Sequence, residues 1–393
     1  MMENVSHSLS GNTLTVFLSG HIDSANANAV EQEIAAARAS GGDHDLVLDC
    51  GGLKYISSAG LRVILRLRKE LPGLKVVNVT PEVYEIFEMT GFTEMMEISK
   101  AYRVISVDGC EVIGQGANGK VYRIDRDTIV KVYLNPDSLP DIQRERELAR
   151  KAFVLGIPTA IPYDVVRVGD GYGSVFELLN AKSFAKLIIA DPSRLEEVVK
   201  MSVDLLKKIH STELKPGDMP DMKAVALDWA EFMKDHLPED KYRKLYALID
   251  AVPQDNHMMH GDYHVKNVML QEGEVLLIDM DTLCMGHPVF ELASMYNAYV
   301  GYGEIDKTGV EDFLGLSYDL TNRIWQESLR LYVGGDEEKR KSVEDKARVV
   351  GYTRIIRRSI RRGGLKTAEG RAAVEFFIGR LTELLDRVDS LTF

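Results

Sequence analysis

The sequence predicts a small α/β domain followed by a larger α+β domain of two lobes, the first rich in strands and the second helical. Three observations predict it. Apolar strands and helical stretches alternate over the first hundred residues, the pattern of a layered α/β unit. Next, Gly114-Gln-Gly-Ala-Asn-Gly119 leads into two β-like runs. Beyond Ser183 the apolar spacing is helical almost throughout. A chain of 393 residues is also long for one core, so two domains are expected from length alone.

Composition limits the classes available. Hydrophobic residues make up 45% and charged residues 27% of the chain, the balance of an ordinary soluble globular protein. No apolar run approaches the ~20 residues needed to span a bilayer, and the N-terminus lacks a basic-then-apolar signal. The expected location is therefore cytoplasmic, without a membrane partner. A net charge of −12 disfavours nucleic acid, because neutralising phosphates requires a basic face. Cys50, Cys110 and Cys284 lie far apart, which argues against a disulfide framework or zinc cluster and predicts buried, reduced thiols.

Residues 13–19 alternate as a strand, and Asp23-Ser24 precedes a helix over the Ala-rich stretch 25–39. Residues 45–49 form a second strand. Ser57 and Ser58 then stand before a helix carrying Leu61, Val63, Ile64 and Leu67 at helical spacing. A third strand covers 74–79, and Pro81 opens another helix at its first turn. Leu18-Ser-Gly-His-Ile-Asp-Ser24 and Tyr55-Ile-Ser-Ser-Ala-Gly-Leu-Arg62 resemble the STAS domain of anti-sigma factor antagonists, and the first domain is taken as residues 1–100. The resemblance implies a regulatory or assembly module with a protein partner, switched in the family by phosphorylation of a Ser or Thr before a helix. In this chain the acceptor position is Ala59, with Ser58 one residue earlier. Ser58 is the regulatory phosphoacceptor candidate, against the simpler reading in which Ser57 and Ser58 only cap the helix.

The second domain is assigned to 103–393, with a nucleotide-binding lobe and hinge over 103–180 and a helical lobe over 181–393. Gly-x-Gly-x-x-Gly occurs in dinucleotide-binding folds and in kinases, and the former require a helix after the glycines. Here residues 120–124, a turn at 125–127 and residues 128–133 read as a β-hairpin, which fits a loop closing over a triphosphate. Gly114, Gly116 and Gly119 would supply the flexible backbone, and Val121 a surface for the base. Period-2 alternation puts Ile129, Lys131 and Tyr133 on one face of the second strand. Lys131 then points into a cleft, where its ammonium suits phosphates and a helix carboxylate. On the helix 141–155, Glu145 is the preferred partner because Ala149, Ala152 and Phe153 then face the sheet; Glu147 is the alternative. A second hairpin spans 164–168 and 172–178, and the backbone of Glu177 and Leu179 would meet an adenine edge.

The most informative stretch is His260-Gly-Asp-Tyr-His-Val-Lys-Asn267 with Val275-Leu-Leu-Ile-Asp-Met-Asp-Thr282. Asp262 can take the proton of an attacking hydroxyl, while Asn267 and Asp279 can hold a divalent cation. Phosphoryl transfer needs this division between positioning a nucleophile and neutralising charge. His260 and His264 are read as hydrogen-bonding supports, since a carboxylate already occupies the base position. Asp281 is read as a brace of its own loop, the alternative being an outer ligand of the same cation.

Helices are expected over 195–209, 227–237, 242–249, 310–331, 342–360 and 372–391. Within the fifth, Arg354-Ile-Ile-Arg-Arg-Ser-Ile-Arg-Arg362 places several arginines on one face, either solvated or serving an acidic or phosphorylated substrate. Asp228, Glu231 and Asp235 are the opposite cue, for a cationic amine, and spacing does not choose between them.

The span 103–393 resembles the aminoglycoside phosphotransferase and choline kinase family of the protein-kinase-like superfamily. The glycine loop, Lys131, Leu206-Lys-Lys-Ile-His210, the His260 stretch and Ile278-Asp-Met-Asp281 carry the resemblance. It implies ATP and Mg²⁺ as cofactors, Asp262 as base, Asn267 and Asp279 as Mg²⁺ ligands, and Lys131 as a phosphate contact. In place of the family's Gly-Asp-Pro and Tyr-Asp-Leu-Ala, this chain has Gly286-His287-Pro288 and Phe290-Glu291-Leu-Ala293, which weakens the analogy to the family's substrates. The expected function is transfer of the γ-phosphoryl group of ATP to a hydroxyl of a small molecule, with the STAS domain regulating or assembling. Alternatives are a protein kinase acting on a STAS serine, Ser58 included, and a non-catalytic nucleotide-sensing interaction protein.

Overall fold

The computed structural model describes residues 4–41, 44–116 and 119–393. The chain divides into two compact units, Met1–Ser106 with Val165–Gly169, and Val107–Asp164 with Asp170–Phe393.

In the first unit, five strands lie in sequence order: β1 (Val5–Ser10), β2 (Thr13–Ile22), β3 (Asp45–Ile56), β4 (Lys75–Val79) and β5 (Glu97–Lys100). β1 and β2 pair antiparallel, whereas β2 through β5 run parallel. Parallel neighbours require crossovers, and these are supplied by α1 (Ala27–Gly41), α2 (Ser58–Glu70), α3 (Pro81–Met89) and the single turn α4 (Phe92–Met95). Val16, Leu48 and Val76 of the sheet meet Ile34, Ile64 and Phe87 of the helices in a core of their own. Neither edge strand has a signature in the sequence. Only Val5 of β1 is buried, and β5 has no fully buried residue, so neither presents an apolar run. The segment β6 (Arg103–Ile105) follows.

The second unit opens with β7 (Glu111–Gln115), β8 (Gly119–Arg123) and β9 (Thr128–Tyr133) as successive antiparallel strands. Then comes α5 (Leu139–Val154), and after β10 (Asp164–Val168), whose residues from Val165 on belong to the first unit, β11 (Gly171–Glu177) returns to pair antiparallel with β9. Helix α5 buries Ile142, Glu145, Leu148, Ala149 and Ala152. Phe153, expected to face the sheet, is instead exposed, because it lies one step beyond the edge of that stripe.

The rest of the unit is mainly helical, built around Phe184, Leu206, Tyr263, Trp325 and Tyr352. A hairpin of Val268–Gln271 and Glu274–Leu277 interrupts it and joins the two halves of the His260 stretch. Two helix expectations change. The predicted segment 310–331 is two helices, Lys307–Leu314 and Tyr318–Val333, because Gly315 takes a left-handed φ of 71° and ends the first. An unpredicted helix, Pro288–Tyr299, is buried at every position from Val289 onward and therefore lacks the amphipathic period that reveals a helix in sequence. Cys50 and Cys284 are buried free thiols, with burial pushing Cys50 up to about 12. Cys110, expected to be buried, is half-buried. Among the described residues, no helix is long and apolar enough to cross a membrane.

Candidate active site

Alternation along β9 brings Lys131 to the same face as Tyr133. The Lys131 ammonium donates to Glu145 at 3.1 and 3.3 Å and to Asp279 Oδ1 at 2.9 Å, and the Tyr133 hydroxyl donates to Glu145 Oε2 at 2.6 Å. Of the two carboxylates considered on α5, Glu145 therefore meets the lysine. Glu147 points elsewhere and pairs with Lys151 at 3.4 Å. Burial would lower the Lys131 pKa, but Asp279 and Glu145 outweigh it and hold the ammonium well above the usual lysine range. Lys131 thus joins the strand-rich lobe, α5 and the end of the His260 stretch through one charge.

Gly114 lies in β7, Gly116 just after it and Gly119 at the start of β8, and the Gly116 N–H donates to the Gly119 carbonyl at 2.9 Å. A Cβ at Gly119 would lie 2.4 Å from the Val132 carbonyl oxygen, so this position has no room for a side chain. Val121 pairs across the strands with Lys131. Ala117 and Asn118, the tip of the loop, lie outside the described residues. Glu177 ends β11, and the Leu178 N–H is already held by the Asp127 carbonyl at 2.8 Å, which leaves the backbone of Glu177 and Leu179 to either side.

Around Asp262 the loop is held by its own side chains. His260 accepts the Asp262 N–H on Nδ1 at 3.2 Å and faces the Ile278 carbonyl with Nε2 at 3.2 Å, which places its proton on Nε2. Asn267 donates from Nδ2 to the Asp262 carbonyl at 3.1 Å. The His264 Nε2 lies 3.5 Å from Asp262 Oδ2, with its ring edge-on to Phe313. Burial pushes the Asp262 carboxyl up, but the His264 hydrogen bond and the electrostatic influence of His264, His260 and Arg354 outweigh it and hold it down to about 2. Gly261 has φ of 83°, and a Cβ there would lie 2.4 Å from the Thr282 carbonyl oxygen. Gly261→Ala should therefore displace the loop and lower turnover by about tenfold or more, with ATP affinity the control measurement.

Sequence reasoning missed what anchors this loop. Glu291, fully buried on the helix Pro288–Tyr299, accepts from the His260 N–H at 2.5 Å and from the Gly261 N–H at 3.1 Å. The His210 Nε2 stands 3.7 Å behind it, while His210 Nδ1 meets the Tyr332 hydroxyl at 2.6 Å. Ser294 donates to the Gly261 carbonyl at 2.9 Å, and Arg354 in turn donates to Ser294 at 2.8 Å. The only signal was the departure at Phe290-Glu291-Leu-Ala293. Its function was hidden because Glu291 and Gly261 lie 30 residues apart in sequence.

Asp279 takes a left-handed φ of 64° at the end of the strand, which turns its carboxylate toward Lys131. The amide of Asn267 is committed through its nitrogen, leaving Oδ1 as the free end. A carboxylate and an amide oxygen are the hard donors that Mg²⁺ takes beside phosphate and water, so these residues fit the ion. Asp281 corrects an expectation. It makes no hydrogen bond among the described residues that would brace the loop, and burial together with the neighbouring Asp279 pushes its carboxyl up to about 7.

In the first unit, the Ser57 hydroxyl caps α2 by accepting from the Ala59 N–H at 3.2 Å and the Gly60 N–H at 3.5 Å. Ser58 is the first residue of that helix and is exposed.

Residues 6–104 match the STAS domain family and residues 109–315 match the phosphotransferase enzyme family. Over 92 residues the chain is 39% identical to a protein of Bordetella bronchiseptica named as an anti-sigma factor antagonist, BtrV, covering 22% of this chain and 78% of that protein. The structure of the streptomycin-ATP-APH(2")-IIa ternary complex superposes with a TM-score of 0.50 at 14% identity, covering 77% of this chain and 97% of that one. Amicoumacin kinase hAmiN in complex with AMP-PNP, Ca²⁺ and Ami superposes with a TM-score of 0.48 at 14% identity, covering 79% and 94%. A strand-rich lobe followed by a helical one is thus a kinase-like fold, and the family match extends across both lobes. The chain belongs to the phosphotransferase enzyme family, as a kinase with a hydroxyl acceptor that carries a STAS domain at its N-terminal end.

Proposed function

We propose that the second domain transfers the γ-phosphoryl group of ATP to a hydroxyl of a small molecule with the help of Mg²⁺. The observation that carries this reading is the Lys131 ammonium, bound at once to Glu145 and Asp279, which assembles both lobes around one phosphate-binding charge. Gly114, Gly116, Gly119 and Val121 cover the nucleotide, and the backbone of Glu177 and Leu179 meets the adenine edge. Asn267 and Asp279 would hold Mg²⁺, which would supply positive charge against the phosphate oxygens. Asp262 orients the acceptor hydroxyl and takes its proton as the hydroxyl oxygen bonds to the γ-phosphorus. The bond to the β–γ bridging oxygen breaks, and ADP leaves with the electron pair.

Titrating nucleotide with and without Mg²⁺ tests the metal assignment. Asp279→Ala should remove the Mg²⁺-dependent gain in ATP affinity, a loss of about tenfold or more, and leave the metal-free affinity nearly unchanged. An unchanged Mg²⁺ response would refute the assignment. Because the folded pKa of Asp262 lies below its ordinary value, the base form is complete above about pH 4 and is lost only as pH falls toward 2. The kcat profile should accordingly show no acid limb from the base between about pH 5 and 8, measured with saturating ATP.

The STAS domain serves in this reading as a protein-binding module with Ser58 as its phosphoacceptor. Its exposed place beside the committed Ser57 supports that role. In the alternative reading, in which the kinase domain itself acts on the STAS serine, label from γ-labelled ATP should appear on the protein and vanish in Ser58→Ala; label persisting in that variant would sink the assignment of Ser58.

A further inference from the structure

We propose that the acceptor is an anionic small molecule, a hydroxy compound bearing a phosphate or carboxylate, held in an arginine-lined cleft beside the Asp262 loop. This rests on the kinase reading above and names its substrate class. The C-terminal part of the helix Glu337–Arg361 presents Arg354, Arg357, Arg358 and Arg361, with Arg362 following, and together with Trp229 they line a cleft of about 230 Å³. That size suits a compact acceptor better than a drug-sized ligand. Five guanidinium groups at one opening also stand out in a chain of net charge −12.

The charges of the cleft are only partly answered by the protein. Asp228 meets Arg357 Nη2 at 2.9 Å, yet Arg357 Nε is buried without a hydrogen-bond partner. Arg358 donates to the Tyr302 hydroxyl at 3.2 Å, a neutral group. Arg361 and Arg362 are exposed and have no ion pair among the described residues. Of the acidic residues that could attract a cation, Asp228 is taken by Arg357, and Glu231 accepts from the Tyr242 hydroxyl at 2.6 Å. The balance at the cleft is therefore positive, and planar guanidinium forks match phosphate and carboxylate oxygens bidentately.

Arg354 connects this cleft to the chemistry. Its guanidinium lies over Trp229 at 5.6 Å, donates to Ser294 at 2.8 Å and reaches the Gly261 carbonyl at 3.5 Å. Gly261 is bonded to Asp262, so the inner end of the cleft adjoins the loop that carries the base. An acceptor anchored by its anion among the outer arginines would lay its body along Trp229 and its hydroxyl toward Asp262. The transfer step is the one already written and requires no further reactant.

The test uses the full chain and probes sharing one carbon skeleton: glycerol, 3-amino-1,2-propanediol, glycerate and glycerol 3-phosphate. Calorimetry should find at least one anionic probe binding about tenfold or more tighter than the neutral and cationic ones, and the contrast between glycerate and glycerol 3-phosphate identifies the anion. Arg361→Glu with Arg362→Glu should remove that preference at unchanged ATP affinity and with Tm lowered by no more than a few degrees, since neither side chain has an ion pair among the described residues to lose and only the last-turn position of Arg361 is disfavoured. The proposal is overturned if neither anion binds more tightly than glycerol, if the amine binds best, or if anion binding survives the charge reversal. ATP affinity reads the kinase assignment separately. Arg-dependent anion binding without ATP binding would refute the kinase reading and keep the cleft, whereas ATP-dependent phosphorylation of glycerol or the amine in preference to the anions would do the reverse.

Discussion

Asp262→Asn is expected to lower kcat by about a thousandfold or more, with the ATP dissociation constant within about twofold of the wild type. The substitution keeps the shape of the side chain and removes only its capacity to take a proton. Structural loss should be small, because the loop backbone is held by other groups: Glu291 on the His260 and Gly261 N–H groups, Ser294 on the Gly261 carbonyl and Asn267 on the Asp262 carbonyl. The Asp262 carboxylate itself is 39% exposed and touches His264 only at 3.5 Å. Release of ADP, followed alongside direct nucleotide binding and the melting temperature, separates chemistry from folding. Retention of full turnover would remove Asp262 from the mechanism.

Glu291→Ala carries the largest expected effect on stability, about 3–5 kcal/mol, together with loss of turnover. The carboxylate is fully buried and satisfies two backbone N–H groups, with His210 behind it. Truncation leaves those donors without a partner and opens a cavity beneath the loop that carries Asp262. Glu291→Gln should cost less, since it keeps the volume and one acceptor oxygen, but turns a donor toward groups that are themselves donors. Burial alone would push the Glu291 carboxyl up, yet His210, His260 and the Gly261 N–H hold it below the usual carboxylate range. Its stabilising contribution is therefore complete above the ordinary glutamate pKa and fades as pH falls through the lowered folded value. Denaturant unfolding of wild type and Glu291→Ala at pH 7 and near pH 3 should show the gap narrowing in acid; a gap that stays constant would contradict a charged Glu291.

Local patterns carried much of this molecule in readable form. Strand alternation put Lys131 on the cleft face, since successive side chains in a strand must point to opposite sides. The α/β character of the first unit followed from apolar runs separated by helices, but its two edge strands, half in solvent, left no such trace. The helix Pro288–Tyr299 was invisible for the opposite reason: burial on all sides removes the polar face that marks a period.

What the sequence by itself determined is therefore the fold class and the residue types that phosphoryl transfer calls for, because both are written in short-range spacing: a glycine loop, a strand lysine, and His260-Gly-Asp with Asn267 and Asp279. Only the tertiary structure decided which carboxylate meets Lys131, that Glu291 joins the motif's own residues in anchoring the loop, that Asp281 lacks the contacts of a brace among the described residues, and that five arginines open around Trp229 with Arg354 reaching the Gly261 carbonyl. Each of these depends on groups distant in sequence meeting across packed helices, and no local period records which distant partner a buried charge will find.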